Sequence, residues 1–149
     1  MNRFIKNIFV DDLNNEYYDI DGVLVSKKHE LIAYPSGRTN NEFIIPEEIK
    51  IINSISIQSQ NLKSIKIHKN VLFIDNGAII NTPYLTDIEI PSSVTRIEQF
   101  AFLDCDSLTT ITFEEKDTND VVRIFFDLKE GQYGIYGNEY KTSFVEDTG

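Results

Sequence analysis

The feature that most constrains this 149-residue chain is a phrase, Leu-x-x-Ile-x-(Ile/Phe), that returns at a fixed spacing. It stands at Leu85, Ile88 and Ile90, again 23 residues on at Leu108, Ile111 and Phe113, and 23 residues back at Leu62, Ile65 and Ile67. Intervening positions keep the same register: Val71 matches Val94, Ile74 matches Ile97, Ala78 matches Ala101 and Ile79 matches Phe102. One step earlier the spacing is 22, with Ile45 matching Ile67, Ile49 matching Val71 and Ile52 matching Ile74. A unit this short cannot bury its own apolar side, so the units must stack on one another.

The phrase alternates, so Ile88 and Ile90 face one way while Asp87 and Glu89 face the other. Stacked units then form a parallel sheet whose inward ladder runs Val10, Ile45, Ile67, Ile90, Phe113. After the strand, Pro91 fixes φ and offers no N–H, and Ser92 and Ser93 bond nearby backbone groups, which encodes a corner. Val94 to Ile97 reads as a short second strand, and Ala101-Phe102-Leu103 as an inward-facing turn before Ser107 and Leu108 restart the cycle. Ile5, Ile8 and Val10 repeat the phrase and place an edge strand in residues 1–10, with Phe4 and Phe9 available to cap it. Val10 stands 35 residues before Ile45, so this first coil carries an insertion. Within it, Gly22 to Ser26 and Leu31 to Tyr34 form a hairpin with Val23, Val25, Leu31 and Ala33 at alternating positions. Asp21-Gly22 marks a backbone site with φ above zero, and Pro35-Ser36-Gly37 ends the hairpin.

The segment IEIPSSVTRIEQFAFLDCDSLTTITF closely resembles the BspA-type (Treponema pallidum-like) leucine-rich repeat, whose units read roughly Leu-x-x-Ile-x-Ile-Pro-x-Ser-Val-x-x-Ile-Gly-x-x-Ala-Phe-x-x-Cys. The insertion NNEYYDIDGVLVSKKHELIAYPSG also looks like a variant unit of that family. Departures are Glu98 in place of the family glycine, Ser56-Ile57 in place of Ala-Phe, and Asn70, Asp75 and Pro83 at degraded positions. The expected fold is mainly β: a leucine-rich-repeat solenoid of about four to five coils of about 23 residues. A hairpin insertion at about residues 20–35 and a non-repeat β cap over 114–149 complete one domain spanning 1–149, with the repeats in 5–113. In the cap, residues 121–126, 133–136 and 141–144 are strand candidates.

Fourteen Lys plus Arg against twenty-four Asp plus Glu give a net charge of −10, which repels nucleic acid and anionic membrane surfaces. Residues 114–149 alone hold nine acidic against four basic groups. The single cysteine, Cys105, allows no internal disulfide. The opening residues lack the continuous apolar run of a secretion signal and no later run reaches membrane-spanning length. As written the chain is expected in the cytoplasm, or at the cell surface or secreted if its signal lies outside this sequence.

Chemistry-bearing patterns are sparse. Asp12-x-Asn14-x-Glu16 has the oxygen spacing of half a calcium loop, but Tyr17 replaces the expected glycine and Val23 the closing glutamate. His29 and His68 are distant in sequence, and Cys105 has no partner for a zinc site, so no metal is expected. Cys105 reads as a small buried thiol. Phosphate-binding glycine loops, dinucleotide fingerprints and metalloprotease motifs are all missing, and no catalytic residue and no cofactor are assigned. The outward strand positions remain: Glu42, Ile44, and the partner-binding candidates Ser64, Lys66, Asp87, Glu89, Thr110 and Thr112. The resemblance implies a non-enzymatic protein-protein interaction module of microbial adhesion or host contact. An alternative is a small acidic inhibitor, such as a phage-encoded charge mimic, bound to the basic surface of a nucleic-acid-handling protein. Self-association through the N-terminal edge strand is a further expectation.

Overall fold

The computed structural model describes residues 2–114 and, beyond them, the backbone of two short strands. In chain order the strands are β1 (Tyr17–Ile20), β2 (Val23–Ser26), β3 (Glu30–Ala33), β4 (Glu42–Ile44), β5 (Ile51–Ile52), β6 (Ile57–Gln58), β7 (Ser64–Lys66), β8 (Phe73–Ile74), β9 (Ile79–Ile80), β10 (Asp87–Ile90), β11 (Arg96–Ile97), β12 (Thr110–Phe113), β13 (Arg123–Ile124) and β14 (Ile135–Tyr136). No helix occurs among the described residues. The architecture is a β-solenoid in which each full coil contributes up to three short strands, one to each side.

The first side holds the phrase strands, paired in parallel as β4 with β7 and β10 with β12. Glu42 sits opposite Ser64 and Asp87 opposite Thr110, which keeps Phe43, Ile65 and Ile88 on the core side. The second side stacks β5, β8 and β11 in parallel, aligning Ile52, Ile74 and Ile97, all fully buried. The third side pairs β6 with β9, Ile57 against Ile79. Alternation leaves one apolar residue inward per short strand, and the coil spacing puts those residues on top of one another. Each buried isoleucine contributes about 1.5 to 3 kcal/mol relative to exposure.

The hairpin residues Val23, Val25, Leu31 and Ala33 are all buried, as the alternation predicts. The hairpin has a third member, β1, which pairs antiparallel with β2 across Asp21 (φ 49°) and Gly22 (φ 77°). Two successive left-handed residues are the requirement of the tight turn that matches strand twist, so Asp-Gly is itself the β1–β2 connection. On its other side β3 joins β5 in parallel, Leu31 against Ile52. The insertion is therefore part of the solenoid wall: the second side is one sheet ordered β1-β2-β3-β5-β8-β11-β13-β14.

The predicted strand in residues 1–10 does not form. Ile5 is exposed, Ile8 and Val10 are only half-buried, and Val10 is not a rung of the ladder. Phe4 and Phe9 point to solvent and cap nothing. The segment lies against the β1–β2 turn instead: the Ile8 amide donates to the Gly22 carbonyl (2.9 Å) and the Val10 amide to the Asp19 carboxylate (2.9 Å). Arg38 clasps it by donating to the Lys6 and Asp21 carbonyls and the Asn7 side chain, while its guanidinium lies 5.6 Å from the Tyr34 ring centroid. With no strand there, the edge expected to mediate self-association is missing.

A left-handed residue recurs at the corner before the third side: Ile55 (φ 54°), Gly77 (φ 60°) and Phe100 (φ 55°). The next corner repeats it at Asn81 (φ 47°) and Asp104 (φ 55°). Of the cap strands expected in 114–149, β13 falls within 121–126 and pairs in parallel with β11, and β14 falls within 133–136. The expectation for 141–144 lies outside the described residues.

Candidate binding face

The outward side of β4, β7, β10 and β12 carries the residues that alternation selects. Glu42, Ile44, Lys66, Asp87, Glu89, Thr110 and Thr112 are exposed, and Ser64 is half-buried. The expected continuous sheet is interrupted. β10 lies beside β7, yet the two belong to separate two-stranded sheets and form no ladder with each other. The reason is a difference in corner length. Five residues, 59–63, lead from β6 to β7, whereas six, 81–86, lead from β9 to β10. The extra residue brings β10 onto the side in a different setting from β7. β12 follows a corner matched to that of β10 and pairs with it along four residues.

At the break a groove of about 450 Å³ opens. Ser64, Lys66, His68 and Lys69 form one lip, Asp87, Glu89, Pro91 and Glu114 the other. Thus four of the six candidate residues converge on a single depression, while Thr110 and Thr112 sit one strand away on β12. Sequence reasoning did not select His68, Lys69, Pro91 or Glu114. The signal for them was the change of spacing from 22 to 23 residues across Ile45, Ile67 and Ile90, which marks where adjacent coils fall out of match.

The charges of the groove are unequally satisfied. Lys66 Nζ is 3.6 Å from Glu42 Oε2, and Lys69 Nζ is 4.0 Å from Glu114 Oε1. Glu114 also accepts the Ser92 amide (2.9 Å), and that bond first, then the Lys69 charge, hold its carboxyl below the usual carboxylate range. His68 Nδ1 accepts the Asn70 amide (3.1 Å) and its Nε2 faces the Pro46 carbonyl, an arrangement that suits the tautomer with the proton on Nε2. Asp87 accepts only the hydroxyl of its neighbour Thr86 (2.9 Å), and Glu89 forms no hydrogen bond or ion pair among the described residues.

The other sequence candidates have structural occupations. Asn14 Oδ1 accepts the Glu16 and Tyr17 amides, so half of the apparent calcium spacing is an Asx turn. Among the described residues no group of three or more His, Cys, Asp or Glu side chains could hold a metal ion. Cys105 is buried, and that burial pushes its thiol up to about 11, far from the thiolate that nucleophilic chemistry needs. Among the described residues there is no helix long and apolar enough to cross a membrane.

A family model described as the BspA type leucine rich repeat region matches residues 33–129 in six copies. The chain therefore belongs to the BspA-type leucine-rich-repeat family. Among solved structures, it is similar to a leucine-rich repeat protein from Eubacterium ventriosum at 34% identity and a TM-score of 0.69, over 74% of this chain and 30% of that one. It is also similar, at 21% identity and a TM-score of 0.37, to a leucine rich cell surface protein from Faecalibacterium prausnitzii, over 70% of this chain and 41% of that one. The pneumococcal vaccine antigen PcpA matches at 20% identity and a TM-score of 0.41, over 79% and 41% of the two chains. The chain spans under half the length of each of these structures. No curated protein matches.

Proposed function

We propose, from membership of the BspA-type leucine-rich-repeat family, that this chain is a non-enzymatic protein-recognition module whose docking surface is the outward side of β4, β7, β10 and β12. The observation that carries this reading is the exposed row Lys66, Asp87, Glu89, Thr110 and Thr112, held on two parallel strand pairs with a groove between them. Strands fix such side chains more firmly than loops, so a partner meets a preorganised surface and less ordering entropy is lost on binding. Solenoids offer extended faces of this kind as docking surfaces. A role in microbial adhesion or host contact is the finer form of the proposal and rests on the family resemblance. The charge-mimic alternative draws no support from the comparisons.

The test is affinity selection from a displayed random-peptide library against the full chain, followed by binding of the selected peptides to two variants. Thr110→Lys with Thr112→Lys, on the proposed side, is expected to weaken them about tenfold or more. Phe73→Lys, on the outward side of β8, is expected to leave them unchanged. Equal loss in both variants, or loss only with Phe73→Lys, overturns the assignment of the surface.

A further inference from the structure

The groove has a feature that the row of side chains does not. The Lys66 carbonyl accepts the Ile45 amide, so the backbone groups of Ser64 and Lys66 point towards β4. The Thr86 and Ile90 carbonyls accept the Thr109 and Glu114 amides, so those of Thr86, Ile88 and Ile90 point towards β12. Since successive residues of a strand turn their backbone groups to opposite sides, those of Ile65, Ile67, Asp87 and Glu89 point into the gap between β7 and β10, across which no ladder forms. The floor of the groove is a row of carbonyl and amide groups that belong to no sheet ladder. Hydrogen-bonding capacity of this density on a protein surface awaits a partner, either water or ligand.

The lips add a sign. Lys66 and Lys69 are engaged by Glu42 and Glu114, while Asp87 and Glu89, two residues apart on one strand and facing the same way, meet no cation among the described residues. With Lys66 and Lys69 against Asp87, Glu89 and Glu114, the groove keeps an excess of one negative charge, placed on the β10 lip above backbone acceptors. That combination complements a guanidinium or ammonium group, which is donor-only and positive. It opposes an acidic ligand, and the overall charge of −10 reinforces the same preference at long range.

We propose that this groove is the docking slot for an extended, Arg- or Lys-bearing segment of a partner protein, lying along β10 with its basic side chains against Asp87 and Glu89. The proposal rests on the protein-binding reading above and names the chemistry of its partner. β7 and β10 are too close for a whole strand to enter between them, so the segment lies over the gap and reaches the carbonyls with its side chains. An arginine fork suits this better than lysine, because it spans two acceptors at once.

The experiment is an NMR titration of the isotopically labelled full chain with a capped Ala-Arg-Ser-Arg-Ala peptide at physiological ionic strength, with Ala-Glu-Ser-Glu-Ala as its counterpart. The amides of Ile65, Ile67, Asp87 and Glu89 are expected to shift together to saturation with the arginine peptide and to stay still with the glutamate peptide. Asp87→Asn with Glu89→Gln is expected to weaken the binding about tenfold. Glu47→Gln with Glu48→Gln, an exposed acidic pair on a turn, is expected to leave it unchanged. Shifts scattered over the acidic surface, equal weakening by both double variants, or no shift at the four groove amides overturns the slot. If the groove stays silent while library-selected peptides still depend on Thr110 and Thr112, the slot falls and the docking surface stands. If those peptides lose their dependence as well, both readings fall.

Discussion

The segment 2–16 and the coils from β4 to β12 contain the same apolar phrase, and only the coils turn it into strands. Ile88 is 2% exposed in β10, whereas Ile5 is 39% exposed in no strand at all. The phrase itself is not what differs. After Ile90 come Pro91, Ser92, Ser93 and Val94, a corner that ends in a buried valine and returns the chain to the second side. After Val10 come Asp11, Asp12, Leu13 and Asn14, and their side chains take over the backbone. Asp11 Oδ1 accepts the Leu13 amide (2.8 Å) and Asn14 Oδ1 accepts those of Glu16 and Tyr17. Local bonds of this kind compete with ladder formation, and here they divert the chain into β1. A repeat phrase becomes a strand when the corner after it delivers the next inward residue.

The strongest way to break this contrast is to place the same charge in both regions. Ile88→Asp buries an uncompensated carboxylate among core residues and is expected to cost upwards of about 4 kcal/mol, enough to abolish the cooperative thermal transition followed by circular dichroism. Ile8→Asp, in the half-buried strap, is expected to cost under about 1 kcal/mol. Similar melting curves for the two variants would remove the distinction.

A second difference is tied to pH. Cys105 lies deep in the repeat region, and desolvation raises its thiol from 9.0 to about 11. The folded state thus keeps its proton where the unfolded chain loses it, so the stability is fully present below about pH 9 and declines as pH rises through about 11, on the order of 2 kcal/mol. Denaturant melts across that window are expected to show the decline in the wild type and a shallower one in Cys105→Ala, compared slope against slope. Equal slopes would mean that the thiol stays accessible to water.

The smallest effect sharpens a comparison within the coils. Gly77 and Ile55 occupy the same left-handed corner in adjacent turns. At Gly77 the nearest atom to an added Cβ is Ile80 Cγ2 at 3.6 Å, so there is room, and Gly77→Ala pays only the conformational cost of about 1 kcal/mol. Ile55 is 56% exposed and β-branched at φ 54°, so Ile55→Gly relieves strain while giving up little burial. It is expected to leave stability unchanged or raise it by up to about 1 kcal/mol. A clear loss would show that the isoleucine has packing work at that corner.

These contrasts also indicate how far the sequence could be read. The stack of Ile52, Ile74 and Ile97, the ladder from Ile45 to Ile90 and the left-handed Asp21-Gly22 pair were all legible, because each follows from spacing or from a backbone that few residues tolerate. β6 and β9 were not, since Ser56-Ile57 and Ala78-Ile79 are adjacent small and apolar residues without alternation and match the Ala101-Phe102 pair that reads as a turn. β1 was hidden because Tyr17 to Ile20 carries no repeat signature and finds its place only by pairing with β2. Four of the six surface candidates converged on the groove, whereas the groove itself arises from one added residue in the corner that leads into β10, a change of spacing that names no lining residue.

Gly37 and Arg38 hold the strap in an unusual currency of information. A Cβ on Gly37 would fall 2.5 Å from the Phe4 carbonyl carbon, and its amide donates to the Ile5 carbonyl (2.8 Å). Two of the three acceptors of Arg38 are likewise main-chain carbonyls. Every amino acid carries that group, so Asn7 aside, the clasp reads residues 4–6 without regard to their identity. Two codons, those of Gly37 and Arg38, bear the requirement, and mutation can rewrite the outer side of the strap while its attachment persists.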